Sequence, residues 1–239
     1  MSFSGNAWAV VVAAGRGTRF RGEGPKQFSP LAGKPMVLWS VEAFLDHPSV
    51  EGLALVLPLE MLEAPPAWLA ELSDRGVRPV AGGAERTDSV RLGLAAVPAE
   101  AAAVAVHDGA RPLITANAIG RVLAAVAPDR GAVAGRRAAD SLKEVDESGR
   151  VVGAPDRRRI WQAETPQAFP RELIVQVHER AAAEGVHASD SAGLCQLYGI
   201  EVRMVELDEP NPKITRPSDL AWAEAWLKAR ESRRASTDG

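Results

Sequence analysis

VVVAAGRGTRFRGEGPKQ, the stretch at residues 10–27, joins an apolar run to a long polar loop. The run ends in two alanines and a glycine at residues 13–15, and the loop then carries Arg19 and Lys26, with Glu23 as its one acidic residue. Glycines let a backbone approach a bulky anion and leave its N–H groups free to point at phosphate oxygens. The stretch therefore predicts a β-strand that ends in a loop for a nucleoside triphosphate.

Two common phosphate loops fit this stretch poorly. A Walker loop needs a lysine directly after its second glycine, but Glu23 follows Gly22. A dinucleotide fingerprint begins correctly at Gly15 and Gly17 but has Phe20 at its third glycine, so the next helix could not pack closely on the strand. A glycine-rich turn with solvated cations is the simpler alternative for the stretch taken alone.

The composition indicates an ordinary globular protein. With 239 residues, of which 46% are hydrophobic and 25% charged, the chain can bury one large core, and we expect a single domain over residues 1–239. A net charge of -3 argues against a general nucleic-acid or membrane-surface binder. We therefore expect no nucleic-acid partner.

Cysteine usage and hydropathy indicate the compartment. Cys195 is the only cysteine, which excludes an internal disulfide and a metal site built from several thiolates. The first residues carry no cationic segment, and no apolar run approaches the roughly 20 residues that span a bilayer. We expect a cytoplasmic protein with no membrane partner.

Short apolar runs alternate with helical patterns along the chain. The runs are rich in Val, Ala and Leu, which is typical of strands covered on both faces. Strands are predicted at residues 7–14, 52–57, 78–80, 103–107 and 132–135, and helices at 35–46, 86–96 and 116–127. This alternation predicts an α/β fold with a doubly wound, mostly parallel sheet, whose ligands bind beyond the carboxyl ends of the strands.

The alternation breaks after Arg136. Residues 140–145 and 151–154 predict a β-hairpin, and residues 163–169 follow as another extended segment. Two strands alone are marginal in water, so we expect this protruding β-arm, about residues 137–162, to pack on a second subunit. The remaining predicted elements are helices at 170–184, 189–197 and 217–228, a strand at 201–205 and a frayed tail from residue 230.

The segment HDGARP at residues 107–112 directly follows a predicted strand. Asp108 would lie at the ligand edge of the sheet, where a carboxylate can hold a divalent metal or accept hydrogen bonds from hydroxyl groups. The alternative is a turn stabilised by an ion pair between Asp108 and Arg111. We expect His107 to be structural, since no second metal-type ligand is spaced to join it.

Three further segments carry polar groups suited to ligands. GGAERTDS at residues 82–89 combines paired glycines, which admit a flat base, with a serine hydroxyl, although a plain helix N-terminus has the same pattern. DRRR at residues 156–159, together with TPQ at 165–167, is expected on the arm. Lys213 precedes the last helix within residues 211–219, as a mobile charge suited to phosphate.

Taken in order, these segments resemble one family closely: the 2-C-methyl-D-erythritol 4-phosphate cytidylyltransferases of the non-mevalonate isoprenoid pathway. The resemblance spans about residues 8–227. Its most specific pieces are AAGRGTRF…PKQ, GGAERTDSV, HDGARP, DRRRIWQAETPQAF and NPKITRP. The chain departs from the family pattern at Ala84 and Ser191, where acidic residues are frequent.

The resemblance implies a Rossmann-like nucleotidyltransferase fold, a homodimer, and Mg²⁺-assisted transfer of a cytidylyl group from CTP to a polyol phosphate. The implied catalytic cations are Arg19, Lys26 and Lys213. The implied CTP contacts are Ala13, Ala14, Gly15, Gly17, Gly83 and Ser89. The implied substrate contacts are Asp108, which is also the tentative Mg²⁺ ligand, Arg111, Arg157 and Thr165. We expect the last two to reach the site on the arm of the neighbouring subunit.

Three other functions stay open on the sequence alone. Ribitol 5-phosphate cytidylyltransferases share the loop and the polar segments. A nucleotide-binding regulator would keep the loop, although mere binding does not require cations on two distant segments aimed at one phosphate. The third alternative is a structural dimer held together by the arm.

Overall fold

The computed structural model describes residues 5–15 and 25–237, with side chains as far as residue 233. The strands are β1 (Ala7–Val12), β2 (Pro30–Leu31), β3 (Lys34–Pro35), β4 (Val50–Leu57), β5 (Val77–Ala81), β6 (Ala103–Asp108), β7 (Arg130–Arg137), β8 (Glu144–Val145), β9 (Val151–Gly153), β10 (Trp161–Pro170) and β11 (Glu201–Glu206). The α-helices are α1 (Met36–Leu45), α2 (Leu59–Glu63), α3 (Ala67–Ser73), α4 (Arg86–Ala95), α5 (Ala116–Ala124), α6 (Arg171–Glu184), α7 (Ser191–Leu197) and α8 (Pro217–Thr237). Short 3₁₀ helices occupy Lys26–Phe28 and Arg157–Arg159.

Within the described residues, a seven-stranded sheet has the order β11-β7-β10-β6-β1-β4-β5. Neighbouring strands pair in parallel, except that β10 runs antiparallel between β6 and β7. Helices pack on both faces of this sheet. The predicted doubly wound, mostly parallel α/β class is confirmed.

Strand β1 is apolar throughout because both of its faces are buried. Ala9 and Val11 are fully buried in one hydrophobic cluster, which also contains Phe44 of α1. Val10 is fully buried in the cluster on the opposite face, together with Leu94 of α4. Since a fully buried Val or Leu side chain contributes about 1.5–3 kcal/mol, the sheet is stabilised from both sides.

Several helix boundaries differ from the sequence prediction. α7 begins at Ser191, because Asp190 is its N-cap and accepts a hydrogen bond from the Gly193 N–H at 2.7 Å. The last helix, α8, continues to Thr237, so the predicted frayed tail is wrong for residues 230–237.

The helices α2 and α3 were not predicted. Each begins directly after a proline, Pro58 or Pro66, which has no backbone N–H and is suited to the start of a helix. The predicted helix at 116–127 begins correctly, since Thr115 Oγ1 accepts from the Ala118 N–H at 3.2 Å, but it ends at Ala124.

The arm carries the predicted hairpin in a shorter form. β8 and β9 pair antiparallel as a separate two-stranded sheet. Three apolar side chains on it are more than half exposed, namely Val145, Val151 and Val152. β10 then leads the chain from the arm back into the central sheet. In the described part of the chain, no helix combines the length and apolar character needed to cross a membrane.

Candidate active site

The strand order places a ligand crevice between β1 and β6. From β1 the chain proceeds to β4 and β5 on one side, and β6 then pairs with the other side of β1. A doubly wound sheet binds ligands at such a switch point, beyond the carboxyl ends of the strands. Val12 and Asp108 are partners in register at this edge. The residues that directly follow β1, at 13–15, and the HDGARP segment, which begins within β6, therefore meet there.

Asp108 is the centre of the polar cluster at this edge. Its Oδ1 accepts from Arg86 Nε at 3.1 Å and Nη2 at 3.0 Å, and its Oδ2 accepts from Lys213 Nζ at 2.8 Å. Burial raises the pKa of this carboxyl, but the charges of Arg86 and Lys213 outweigh it and hold the pKa well below its usual range. Asp108 is therefore ionised at neutral pH and pairs with these two cations rather than with Arg111.

Hydrogen bonds with Thr165 and His107 fix the backbone of Asp108. Thr165 Oγ1 accepts from the Asp108 N–H at 3.1 Å and lies 3.0 Å from His107 Nδ1, while His107 Nε2 lies 3.1 Å from the Arg111 carbonyl. The carbonyl can only accept, so these contacts assign the proton to Nε2 and leave Nδ1 to accept from the threonine hydroxyl. Burial lowers the pKa of His107 to about 4, so the ring is neutral. The structural role predicted for His107 is confirmed.

The predicted location of Thr165 on the arm is wrong. Thr165 is buried on β10, in the central sheet of its own chain, where Gln167 pairs with Val106 of β6. The extended segment that includes Thr165 returns from the arm into the sheet, a path that the sequence alone does not reveal.

Lys26 and Lys213 approach this edge from opposite ends of the chain. Lys26 Nζ donates to the Ile214 carbonyl at 2.6 Å, across 188 residues, and the Ile214 N–H donates to the Ala110 carbonyl at 2.8 Å. These contacts hold the segment that carries Lys213 against the HDGARP turn. Of the three predicted catalytic cations, Lys213 thus contacts Asp108 and Lys26 contacts the segment that carries Lys213, whereas Arg19 is outside the described residues, as is Gly17.

Gln27 closes the base of the nucleotide loop. Its side chain is buried, and its Nε2 donates to the carbonyls of Ala13 and Gly15, the latter at 2.6 Å. The amide therefore ties the residue after the loop to the end of β1. Sequence reasoning did not single out Gln27, although its place directly after Lys26 was a possible signal.

The paired glycines after β5 pack against the end of β1. A Cβ atom added to Gly82 would overlap the Cβ of Ala14, and one added to Gly83 would overlap the Cβ of Asp88. The Gly83 N–H donates to Ser89 Oγ at 3.1 Å. The structure thus brings the predicted CTP contacts Ala14, Gly83 and Ser89 together at one place.

Arg111 belongs to the HDGARP turn at the same edge of the sheet, and its side chain is mostly buried. Its Nη1 donates to the Asn211 carbonyl at 2.8 Å, and Asn211 Nδ2 donates to the Thr165 carbonyl at 2.6 Å. Burial is the main cause that lowers the pKa of Arg111. These contacts connect the HDGARP turn to the segment of Lys213, so Arg111 also supports the geometry of the site.

Arg157 is separate from this cluster within one chain. It lies in the exposed 3₁₀ turn on the arm, and its Nη1 donates to the Ala139 carbonyl at 2.8 Å. Arg86 is the residue of this cluster that sequence reasoning did not single out. It opens α4 within GGAERTDSV, and the sequence does not show that its guanidinium meets Asp108.

A doubly wound sheet that carries a glycine loop, two lysines and a buried carboxylate at its switch point defines a nucleotidyltransferase. The family model for 2-C-methyl-D-erythritol 4-phosphate cytidylyltransferase (IspD) matches residues 7–229. The chain belongs to this family.

Individual relatives agree with the family match. The chain is 40% identical, over 229 residues, to the 2-C-methyl-D-erythritol 4-phosphate cytidylyltransferase of Ectopseudomonas mendocina, a match that covers 92% of the chain and 96% of the relative. It is 37% identical to the bifunctional enzyme IspD/IspF of Desulfotalea psychrophila, but spans only 58% of that longer protein. The crystal structure of the cytidylyltransferase from Thermus thermophilus superposes with a TM-score of 0.76 at 30% identity, covering 95% of the chain and 100% of that structure.

Proposed function

We propose that the chain joins CTP and 2-C-methyl-D-erythritol 4-phosphate to give 4-diphosphocytidyl-2-C-methyl-D-erythritol and pyrophosphate. Family membership supports this choice of substrates over ribitol 5-phosphate and over a non-catalytic regulator. The observation that carries the proposal is the buried Asp108 at the switch point, which Lys213 contacts directly, while Lys26 binds the carbonyl of the next residue, Ile214. Binding alone does not need this concentration of charge.

The proposed reaction needs no nucleophile from the protein. An oxygen of the substrate phosphate attacks the α-phosphorus of CTP in line, and the bond from that phosphorus to the β-phosphate oxygen breaks to release pyrophosphate. Burial raises the pKa of Cys195 to about 12, and His107 is neutral and fully engaged, so neither side chain is suited to covalent or acid–base chemistry. Catalysis is then a matter of position and charge.

Cations supply the charge stabilisation. Two unit negative charges about 4 Å apart repel by about 4 kcal/mol at an effective dielectric constant near 20, and the reaction brings two phosphate groups together. In the proposal, Lys26, Lys213 and Arg19 grip the triphosphate and the charge that develops at the α-phosphorus. The CTP contacts are Ala13, Ala14, Gly15, Gly17, Gly83 and Ser89. Asp108, Arg111 and Thr165 shape the polyol pocket in the same chain.

A divalent metal, proposed to be Mg²⁺, accompanies CTP with Asp108 as its protein ligand. Mg²⁺ is usually held by one or two carboxylates together with substrate phosphates, and an ionised carboxylate at the ligand edge fits that donor set. Among the residues that the structure describes, no group of three or more His, Cys, Asp or Glu side chains could hold a metal ion. The triphosphate would therefore supply most ligands. When bound, the ion neutralises part of the phosphate charge.

The proposal includes a homodimer in which the arm, about residues 137–162 of a single 1–239 domain, brings Arg157 to the partner's site. Exposed Val145, Val151 and Val152 on a two-stranded hairpin support it, because such a hairpin gains little from burial within its own chain. Subunits carrying Arg157→Ala, mixed with subunits carrying Lys26→Ala, should regain part of the activity. No recovery would contradict an arm that works in trans.

The buried free Cys195 is compatible with a reducing compartment, and we propose the cytoplasm. The proposed partners are CTP and the polyol phosphate, with neither nucleic acid nor membrane.

The test of the whole proposal is a pyrophosphate-release assay that crosses four nucleoside triphosphates with methylerythritol phosphate and ribitol 5-phosphate. We expect release only with CTP and methylerythritol phosphate. Turnover only with ribitol 5-phosphate, or none with either polyol, would refute it.

A further inference from the structure

A second ion pair lies beside the Asp108 cluster and has no role in the mechanism above. Glu164 of β10 is 3% exposed, and its Oε1 accepts from Arg136 Nε at 2.8 Å and lies 2.8 Å from Nη2 of the same guanidinium. Its Oε2 lies 4.0 Å from Arg111 Nη1. One buried carboxylate is thus shared by two arginines, of which Arg111 belongs to the HDGARP turn and Arg136 lies at the carboxyl end of β7.

An irregularity in β10 aims Glu164 at this position. The register between β10 and β7 shifts between Ala163 and Gln167, so three residues of β10 lie opposite one residue of β7. Bulges of this kind occur often beside functional sites, where they redirect side chains. Here the bulge points Thr165 at Asp108 and Glu164 at Arg136, so the two clusters share one segment.

Three polar atoms beside this pair are buried and form no direct hydrogen bond with the described residues: Glu164 Oε2, Arg111 Nε and Asn211 Oδ1. Glu164 Oε2 has only the longer charge contact to Arg111 Nη1 at 4.0 Å. A buried polar atom without a partner is unfavourable, so such atoms together indicate a place for a polar ligand or for water.

The charges of the two clusters leave an excess that matches a phosphate monoester. Arg86, Lys213, Arg111 and Arg136 contribute four positive charges, whereas Asp108 and Glu164 contribute two negative charges. The difference is a formal excess of two positive charges, the magnitude carried by a phosphate monoester dianion. Binding a dianion would neutralise these two clusters.

We propose that Arg136, aligned by Glu164, is a binding residue for the phosphate group of the acceptor substrate; this inference rests on the proposed function. Glu164 Oε1 contacts Nε and Nη2, so Glu164 leaves Nη1 available to a ligand. The Arg136 side chain is 37% exposed, so an anion can reach it. Glu164 acts through Arg136 and is a positioning residue.

The choice of arginine follows from its geometry. A guanidinium is planar and can donate to a carboxylate along one edge while it donates to a phosphate along another. A lysine ammonium has no such fork. Arg136→Lys should therefore keep the charge but recover only part of the binding.

The experiment measures binding of 2-C-methyl-D-erythritol 4-phosphate by calorimetry, without turnover. Arg136→Met should weaken binding by on the order of 10- to 100-fold, as expected for a lost charged hydrogen bond, and Glu164→Gln by less. Arg130→Met is the matched control, because Arg130 is at the other end of β7 and lies 3.8 Å from Glu201. It should bind as the wild type does.

Phosphate-free methylerythritol is the second probe, and it should not distinguish Arg136→Met from the wild type. Melting temperatures and the KM for CTP are measured on the same variants. A merely structural effect would lower the melting temperature and weaken the binding of both substrates together. Wild-type affinity of folded Arg136→Met, or equal weakening in Arg130→Met, would overturn the inference while leaving the proposed function intact. Arg136-dependent phosphate binding without pyrophosphate release would instead refute only the proposed function. Failure of the wild type to bind the phosphate would refute both.

Discussion

Replacing Lys213 by alanine separates the proposed catalytic role of this lysine from its structural role. Lys213 Nζ lies 2.8 Å from Asp108 Oδ2, and the lysine side chain is 38% exposed. Asp108 would keep Arg86 at 3.0 Å, so the loss in free energy of unfolding should be about 1 kcal/mol, as for a partly exposed pair. In a chain of this size, that loss lowers Tm by about 2–4 °C.

The effect of Lys213→Ala on turnover should be much larger. A charge about 4 Å from the reacting phosphate contributes about 4 kcal/mol at an effective dielectric constant near 20. Exposure of the side chain reduces this contribution to about 2–3 kcal/mol by solvent screening. Because about 1.36 kcal/mol corresponds to a tenfold rate change, kcat should fall by about 30- to 150-fold.

Pyrophosphate release at saturating substrates, with thermal unfolding of the same preparations, checks this prediction. Lys228→Ala is the matched control, because Lys228 is also on the C-terminal side of the chain, is 68% exposed and pairs with Glu224 at 2.9 Å. Turnover of folded Lys213→Ala within about twofold of the wild type would refute the reasoning, as would an equal loss in the control.

Three further changes test other parts of the structure. Gly82→Ala should lower Tm and raise the KM for CTP, because the new Cβ overlaps Ala14. In the described part of the chain, a Cβ added to Gly15 has no atom within 4 Å, so Gly15→Ala should leave Tm unchanged. Equal Tm values for the two variants would contradict the packing. Burial lowers the pKa of His178 from 6.5 to about 4, so only the unfolded chain gains this proton between those values. The free energy of unfolding should thus decrease as pH falls through this window, by up to about 3 kcal/mol from this group, and urea titrations should give a smaller decrease for His178→Gln; an unchanged decrease would exclude the assignment. Gln27→Ala removes the hydrogen bonds that hold the two ends of the nucleotide loop together, and it should raise the KM for CTP by about tenfold. A fall in kcat with an unchanged KM would argue against a role of Gln27 in CTP binding.

The order of the main elements could be predicted because burial on both faces leaves a direct signature in the sequence. β1, β4 and β6 are nearly all Val, Ala and Leu, since helices cover both faces of the sheet. The end of α8 was missed because its polar residues resemble a solvated tail. The segments that follow β4 were not assigned, since prolines divide them into two short helices.

The candidate site was predictable by segment but not by contact. The glycine loop, the HDGARP turn and Lys213 each carry a local pattern, and the sheet edge brings these segments together. Arg86 and the pair of Arg136 with Glu164 carry no such pattern, because their partners lie 22 and 28 residues away along the chain. Only the strand order and the bulge in β10 place them beside Asp108.

The long separation between the two lysine segments also sets when the enzyme can first work. Lys26 meets the Ile214 carbonyl across 188 residues, and Asp108 meets Lys213 across 105. At a synthesis rate of about 5–20 residues per second, the first lysine waits about 10–40 s on the ribosome for its partner segment to appear. Polypeptides released before that segment is made lack both Lys213 and the carbonyl that binds Lys26, so we expect them to turn over far more slowly than the full chain.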